Sequence, residues 1–131
     1  MKADELPAAL RACAAGFYPL EAGVSLLISS GTFLHRSDFT SRFIEHATSS
    51  GVPMAAIDWE AAVTALGQGE LPCSGGERRV LLLSASLAGG VPVDLRDAAT
   101  GLDARNIQRL VTAILHASGK RPSPADIDDH L

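Results

Sequence analysis

The chain is 131 residues long, 47 % hydrophobic and 20 % charged. That length fits one domain, and a domain of this size buries roughly two-thirds of the surface its unfolded chain exposes. The composition excludes a disordered polar chain, and a net charge of −4 argues against nucleic acid as the main partner.

Residues 4–17 read as a helix, because Leu6, Ala9, Leu10, Cys13 and Phe17 share one face at helical spacing. Asp4 can cap it, and Pro7 is tolerated in a first turn. Tyr18-Pro19 marks a break, after which Pro19 can open a second helix. Leu20, Val24, Leu27 and Ile28 form the apolar face of that helix, and Ser29-Ser30-Gly31 closes it. A connection over residues 32–36 leads to a third helix, capped by Ser37 or Asp38, with Phe39, Phe43, Ile44 and Ala47 inward. Thr48-Ser49-Ser50-Gly51-Val52-Pro53 is the strongest loop signal in the chain and the expected mobile segment. Met54-Ala55-Ala56-Ile57 is either a short strand or an approach segment. Asp58 caps a fourth helix that turns Trp59, Ala62, Val63 and Leu66 inward.

Residues 74–119 carry the clearest local signals. Ser74-Gly75-Gly76-Glu77 fits a capping box, in which a serine at the N-cap and a glutamate three residues on satisfy each other's free backbone N–H groups. The run from Val80 to Ala88 is apolar on more than one face, which predicts a deeply buried helix. Gly89-Gly90 ends it. Val91-Pro92-Val93 is extended, because the residue before proline avoids the α region. Asp94 caps one short turn closed by Gly101. Asp103 caps the last helix. Its apolar residues Ile107, Leu110, Val111, Ile114 and Leu115 recur at i, i+3, i+4, i+7 and i+8, one stripe of an amphipathic helix. Gly119 and Pro122 end it. The expected fold is all-α, a compact bundle of about six helices with short connections. The expected domain covers residues 1–119. Residues 120–131 read as a flexible polar tail, with a docking peptide over 126–131 as the alternative.

The compartment follows from what the chain lacks. No apolar run reaches the roughly 18 residues of a membrane span, so no membrane role is expected. Met1-Lys2-Ala3-Asp4-Glu5 does not have the basic-then-apolar order of a signal peptide. The two cysteines, Cys13 and Cys73, are too few for a disulfide framework, and the expected compartment is a reducing cytoplasm.

No catalytic, cofactor or metal signature is present. His35, His46, His116 and His130 lack metal-ligand spacing, there is no Cys-x-x-Cys pair, and no Gly-x-Ser-x-Gly elbow occurs. Cys73 precedes a helix N-cap, a position that lowers a thiol pKa, although a structural cysteine beside Pro72 is the plainer reading. A site assembled from Cys73, His46 and Asp58 is the only enzymatic arrangement on offer. The arginines near helix starts are read first as paired locally with Glu77 or Asp103, and otherwise as a site for an anionic partner. Residues 1–73 hold four Lys/Arg against eight Asp/Glu, whereas residues 74–118 hold five arginines against four acids. Ser74, Gly75 and Gly76 leave backbone N–H groups at a helix start, which favour an anion. Arg78, Arg79, Arg105 and Arg109 can join them, and Arg105 and Arg109 share a helix face at i, i+4. His35, Arg36 and Asp38, beside Phe39 and Phe43, form a candidate interaction surface.

Ser74-Gly75-Gly76-Glu77-Arg78-Arg79 resembles the signature segment of ABC-type ATPases, but such a site requires a G-x-x-x-x-G-K-[ST] phosphate loop. Gly119-Lys120 is followed by Arg121, and Ile114 stands where the first glycine belongs, so ATPase activity is not expected. The longer run Ser74-Gly-Gly-Glu-Arg-Arg, Ala85-Ser86-Leu87-Ala88-Gly89-Gly90-Val91-Pro92-Val93-Asp94-Leu95, Gly101-Leu102-Asp103-Ala104-Arg105-Asn106 and Leu115-His116-Ala117-Ser118-Gly119 resembles a segment of small uncharacterised proteins of high-GC Gram-positive bacteria. The resemblance implies a compartment and a lineage, and no activity. The expectation is thus a non-enzymatic, cytoplasmic helical module acting by protein–protein contact, including self-association as a homodimer. An anion- or nucleic-acid-binding module built on the arginines is the alternative.

Overall fold

In the computed structural model the described residues are 4–120. They form seven α-helices, a 3₁₀ turn at Phe33–His35 and one antiparallel two-stranded hairpin. The helices are α1 (Leu6–Ala14), α2 (Tyr18–Ser30), α3 (Ser37–Phe43), α4 (Trp59–Gly67), α5 (Gly75–Gly89), α6 (Leu95–Thr100) and α7 (Ala104–Ala117). The strands are β1 (Ile44–Ser49) and β2 (Val52–Ile57). The expected tail, apart from Lys120, lies outside the described residues.

The hairpin corrects the all-α expectation: the fold is mixed, predominantly helical with one β-hairpin. The third helix does not run on to Ala47. It stops at Phe43, and Ile44 is extended at φ −119°, ψ 124°. The cause lies at residues 50 and 51. Ser50 (φ 49°) and Gly51 (φ 80°) both sit at positive φ, as the two central residues of a tight hairpin turn of this hand require. Ser49 then faces Val52, and the register runs back to Ile44 opposite Ile57. What reads as a loop is therefore a turn between strands, and residues 54–57 take the strand alternative. Pro53 is tolerable because the ribbon has only two strands, both of them edges. Phe43 C=O accepts the Asp58 N–H at 2.8 Å and closes the base of the hairpin.

Two apolar clusters lie on either side of a central helix pair, α2 and α5. The larger takes Leu6 and Leu10 of α1, Val24 and Leu27 of α2, Phe33, Phe39 and Phe43, Ile57, Trp59 and Leu66, and Leu81 of α5. The smaller joins Ala22 and Leu26 of α2 to Val80 and Leu83 of α5, Ala98 of α6, and Leu110 and Ala113 of α7. The two central helices approach closely at Gly23. A Cβ there would lie 2.5 Å from Ala88 Cβ and 2.6 Å from the Ser84 backbone oxygen, so the contact admits no side chain.

Most caps stand where the residues place them. Asp58, Ser74, Asp94 and Asp103 each accept a backbone N–H through the side chain. The turn after Asp94 is a full helix, α6. The first helix is shorter than its periodicity predicts, because Ala15 is extended and Gly16 has φ 94°. Cys13 is exposed and Phe17 is 59 % exposed; neither joins the face of Leu6, Ala9 and Leu10.

Candidate functional site

α7 is where the fold leaves surface uncovered. Its caps are sound, since Asp103 Oδ1 accepts the Asn106 N–H at 2.8 Å. It packs on α2 through Leu110 and Ala113, so its buried line is offset from the predicted stripe. Val111 remains 50 % exposed and Ile114 48 %. Val111, but not Ile114, lines a partly open groove of about 680 Å³. Arg11 of α1 and Ser25, Leu26 and Ser29 of α2 form one wall. Arg105, Arg109, Thr112 and His116 of α7 stand on the other, with Ile107, Val111 and Leu115.

The groove is electrostatically one-sided. Its lining contains three guanidinium groups and no Asp or Glu among the described residues. Arg11 Nη1 donates to Ser25 Oγ at 3.0 Å, and Arg109 Nη1 donates to Asn106 Oδ1 at 3.2 Å. These neutral acceptors hold the side chains without cancelling their charge. No carboxylate pairs with Arg11, Arg105 or Arg109 among the described residues. Ser25 and Ser29 are four apart on α2, so both reach the same face. One end is tied shut: His116 Nε2 lies 2.6 Å from Glu21 Oε1, and Glu21 Oε2 accepts the Gly16 N–H at 2.8 Å. The Tyr18 ring meets the His116 ring edge-on at 6.1 Å.

The sequence-predicted contacts do not gather into one site. Arg105 and Arg109 share the groove, as their spacing predicts. Arg78 and Arg79 are not among its lining residues. Arg79 lies against Gly75 and Gly101 and donates from Nε to the Asp97 carbonyl at 3.3 Å, which fastens α6 to α5. Ser74, Gly75 and Gly76 start α5, but this helix start already has its anion. Glu77 Oε1 accepts the Ser74 N–H at 2.8 Å, and Ser74 Oγ accepts the Glu77 N–H at 3.2 Å. The Ser74 backbone and hydroxyl hold the Glu77 carboxyl below its ordinary pKa.

The second predicted surface is a structural clamp. Arg36 binds both carboxylate oxygens of Asp38, at 3.0 and 2.6 Å, and its Nη1 donates to the Pro72 carbonyl at 2.6 Å. The guanidinium also lies 5.5 Å from the Phe33 ring centroid. His35 is exposed beside it. Burial pushes the Cys73 thiol up, aided by the Glu77 charge, which is the opposite of an activated nucleophile. Cys73, His46 and Asp58 are absent from the groove lining, and Asp58 is occupied in capping α4. Among the described residues, no group of three or more His, Cys, Asp or Glu is placed to hold a metal ion. No helix among them is long and apolar enough to cross a membrane.

Arg11, Ser25, Ser29 and Thr112 were not legible as site residues. The one local signal was Ser25 and Ser29 at i, i+4 on an otherwise apolar helix; Arg11 reaches the groove only through the packing of α1 on α2. Comparison with protein-family models, curated proteins and solved structures gave no match.

Proposed function

We propose that the chain is a non-enzymatic interaction module that binds a protein partner through the groove between α2 and α7. One observation carries this reading: half-exposed Val111, with Ile107 and Leu115, lines a groove shared with three arginines that no carboxylate satisfies among the described residues. Apolar side chains flanked by arginine are the composition of a protein-binding patch, because arginine adds a flat, adaptable cation to the area that apolar contact buries. Cys13 and Cys73 are both free thiols, which supports a reducing compartment and so the cytoplasm.

A photo-crosslinking residue placed at 111 tests it, with the same residue at exposed position 48 in the hairpin as the control. The expected result is a protein adduct at 111 and none at 48. An adduct of twice the chain mass identifies the partner as a second copy and makes the module a homodimer. Equal labelling at the two positions ends the reading.

A further inference from the structure

We infer that the segment received by this groove is an acidic amphipathic helix of another protein, its carboxylates meeting Arg105 and Arg109 and its apolar ridge covering Ile107, Val111 and Leu115. This rests on the docking reading above and names the partner's chemistry. Arg105 and Arg109 are one helical turn apart, so matching acids stand three or four residues apart on the incoming helix. Ile107, Val111 and Leu115 line the groove at i, i+4 and i+8, a ridge that an apolar stripe of the same period can flank. From Arg105 to His116 the wall is about 17 Å long, roughly three turns of helix.

Other occupants fit less well. A second copy pairing α7 with α7 brings no carboxylate to the arginines, because residues 104–117 contain no Asp or Glu. A single-stranded nucleic acid needs aromatic platforms, and the lining contains no Phe, Tyr or Trp. A small ligand needs a pocket that encloses most of its surface, whereas this groove is only partly enclosed.

The test is to pan the full chain against a displayed library of random helical peptides. The expected selection carries Asp or Glu at i and i+3 or i+4 beside an apolar stripe. The affinity of the selected peptides falls about tenfold or more in the R105E/R109E chain and less than about twofold in R78E/R96E, which changes net charge equally outside the groove. R105E/R109E panned afresh selects basic peptides, which also shows that it folds. Neutral or basic selections on the wild-type chain, lost in V111E/L115E but indifferent to R105E/R109E, overturn the acidic assignment and leave the docking reading standing. Selections indifferent to both double variants overturn both, as does no selection by either the full chain or a chain ending at Lys120. Acidic selections by the shortened chain alone assign the groove to the chain's own residues 121–131 and overturn the external partner.

Discussion

α5 and α7 are built alike and covered differently. Each begins at a side-chain cap and each is followed by a glycine at positive φ, Gly90 and Gly119. α5 sends Leu81 and Ala85 into the larger cluster and Val80 and Leu83 into the smaller, so both of its flanks are occupied. α7 gives Leu110 and Ala113 to the smaller cluster and nothing to the larger, and its next apolar line stays half in water. Fully burying a Val or Ile side chain is worth about 1.5–3 kcal/mol. Half-covered Val111 therefore retains half of that, about 1 kcal/mol, for a partner in the groove to collect. An apolar helix with two packed flanks is a fold element; the same kind of helix with one packed flank is a surface held ready.

The largest effect expected from this contrast is at Leu81, which is fully buried. Leu81→Ala removes methyl groups from a site that cannot close up, and the expected loss is about 2–5 kcal/mol in denaturant unfolding. The next is at the helix crossing. Gly23→Ala forces a Cβ against the Ser84 carbonyl and Ala88, and backbone cannot step aside as a flexible side chain can. Despite the better helix propensity of alanine, an overpacking cost of about 1–3 kcal/mol is expected from the same measurement. A loss at Leu81 no greater than that of a surface substitution would erase the distinction between the helices.

How much of this was legible depends on the range of the interaction that decides it. The caps at Asp58, Ser74, Asp94 and Asp103 need residues three apart, and sequence spacing predicts each one. The buried character of α5 was legible in its continuous apolar run. The hairpin was not, because Ile44, Glu45, His46 and Ala47 carry no strong alternation and the turn depends on the backbone hand of Ser50 and Gly51. Gly23 gave no sign, since its role exists only once α5 lies across α2. The site was half legible. Arg105 and Arg109 follow from helical spacing, whereas Arg11 and Ser25 meet across 14 residues of sequence. Arg79 is held by the Asp97 carbonyl, and Arg36 by Asp38 and the Pro72 carbonyl, partners that charge in a sequence does not foretell.

The cap of α5 gives a smaller effect with a pH signature. Ser74→Ala removes an N-cap and is expected to cost about 1 kcal/mol. Glu77 titrates below its ordinary value of 4.5 in the folded chain. A depressed folded pKa means that its contribution is present above that ordinary value and is lost as pH falls through the folded one. Wild-type stability should therefore decline on acidification below about pH 4.5 more steeply than that of Glu77→Gln, read from denaturant midpoints at each pH. Parallel profiles would remove Glu77 from the cap.

The smallest effect on folding is expected at the exposed line of α7, and it separates the two helices most cleanly. Val111→Thr and Ile114→Thr replace apolar groups that are already about half exposed. Threonine keeps the β-branch, so helix propensity barely changes. Each substitution should shift stability by no more than about 0.5 kcal/mol, within the range of ordinary surface changes. Val111→Thr should cost a bound helix far more, because there the methyl groups are withdrawn from water on both sides, whereas Ile114→Thr, outside the groove lining, should leave binding unchanged. A large loss of stability in Val111→Thr with no loss of binding to the selected peptides would show that this side chain already serves the core. α7 would then be a second α5, and the groove would lose its apolar wall as a docking surface.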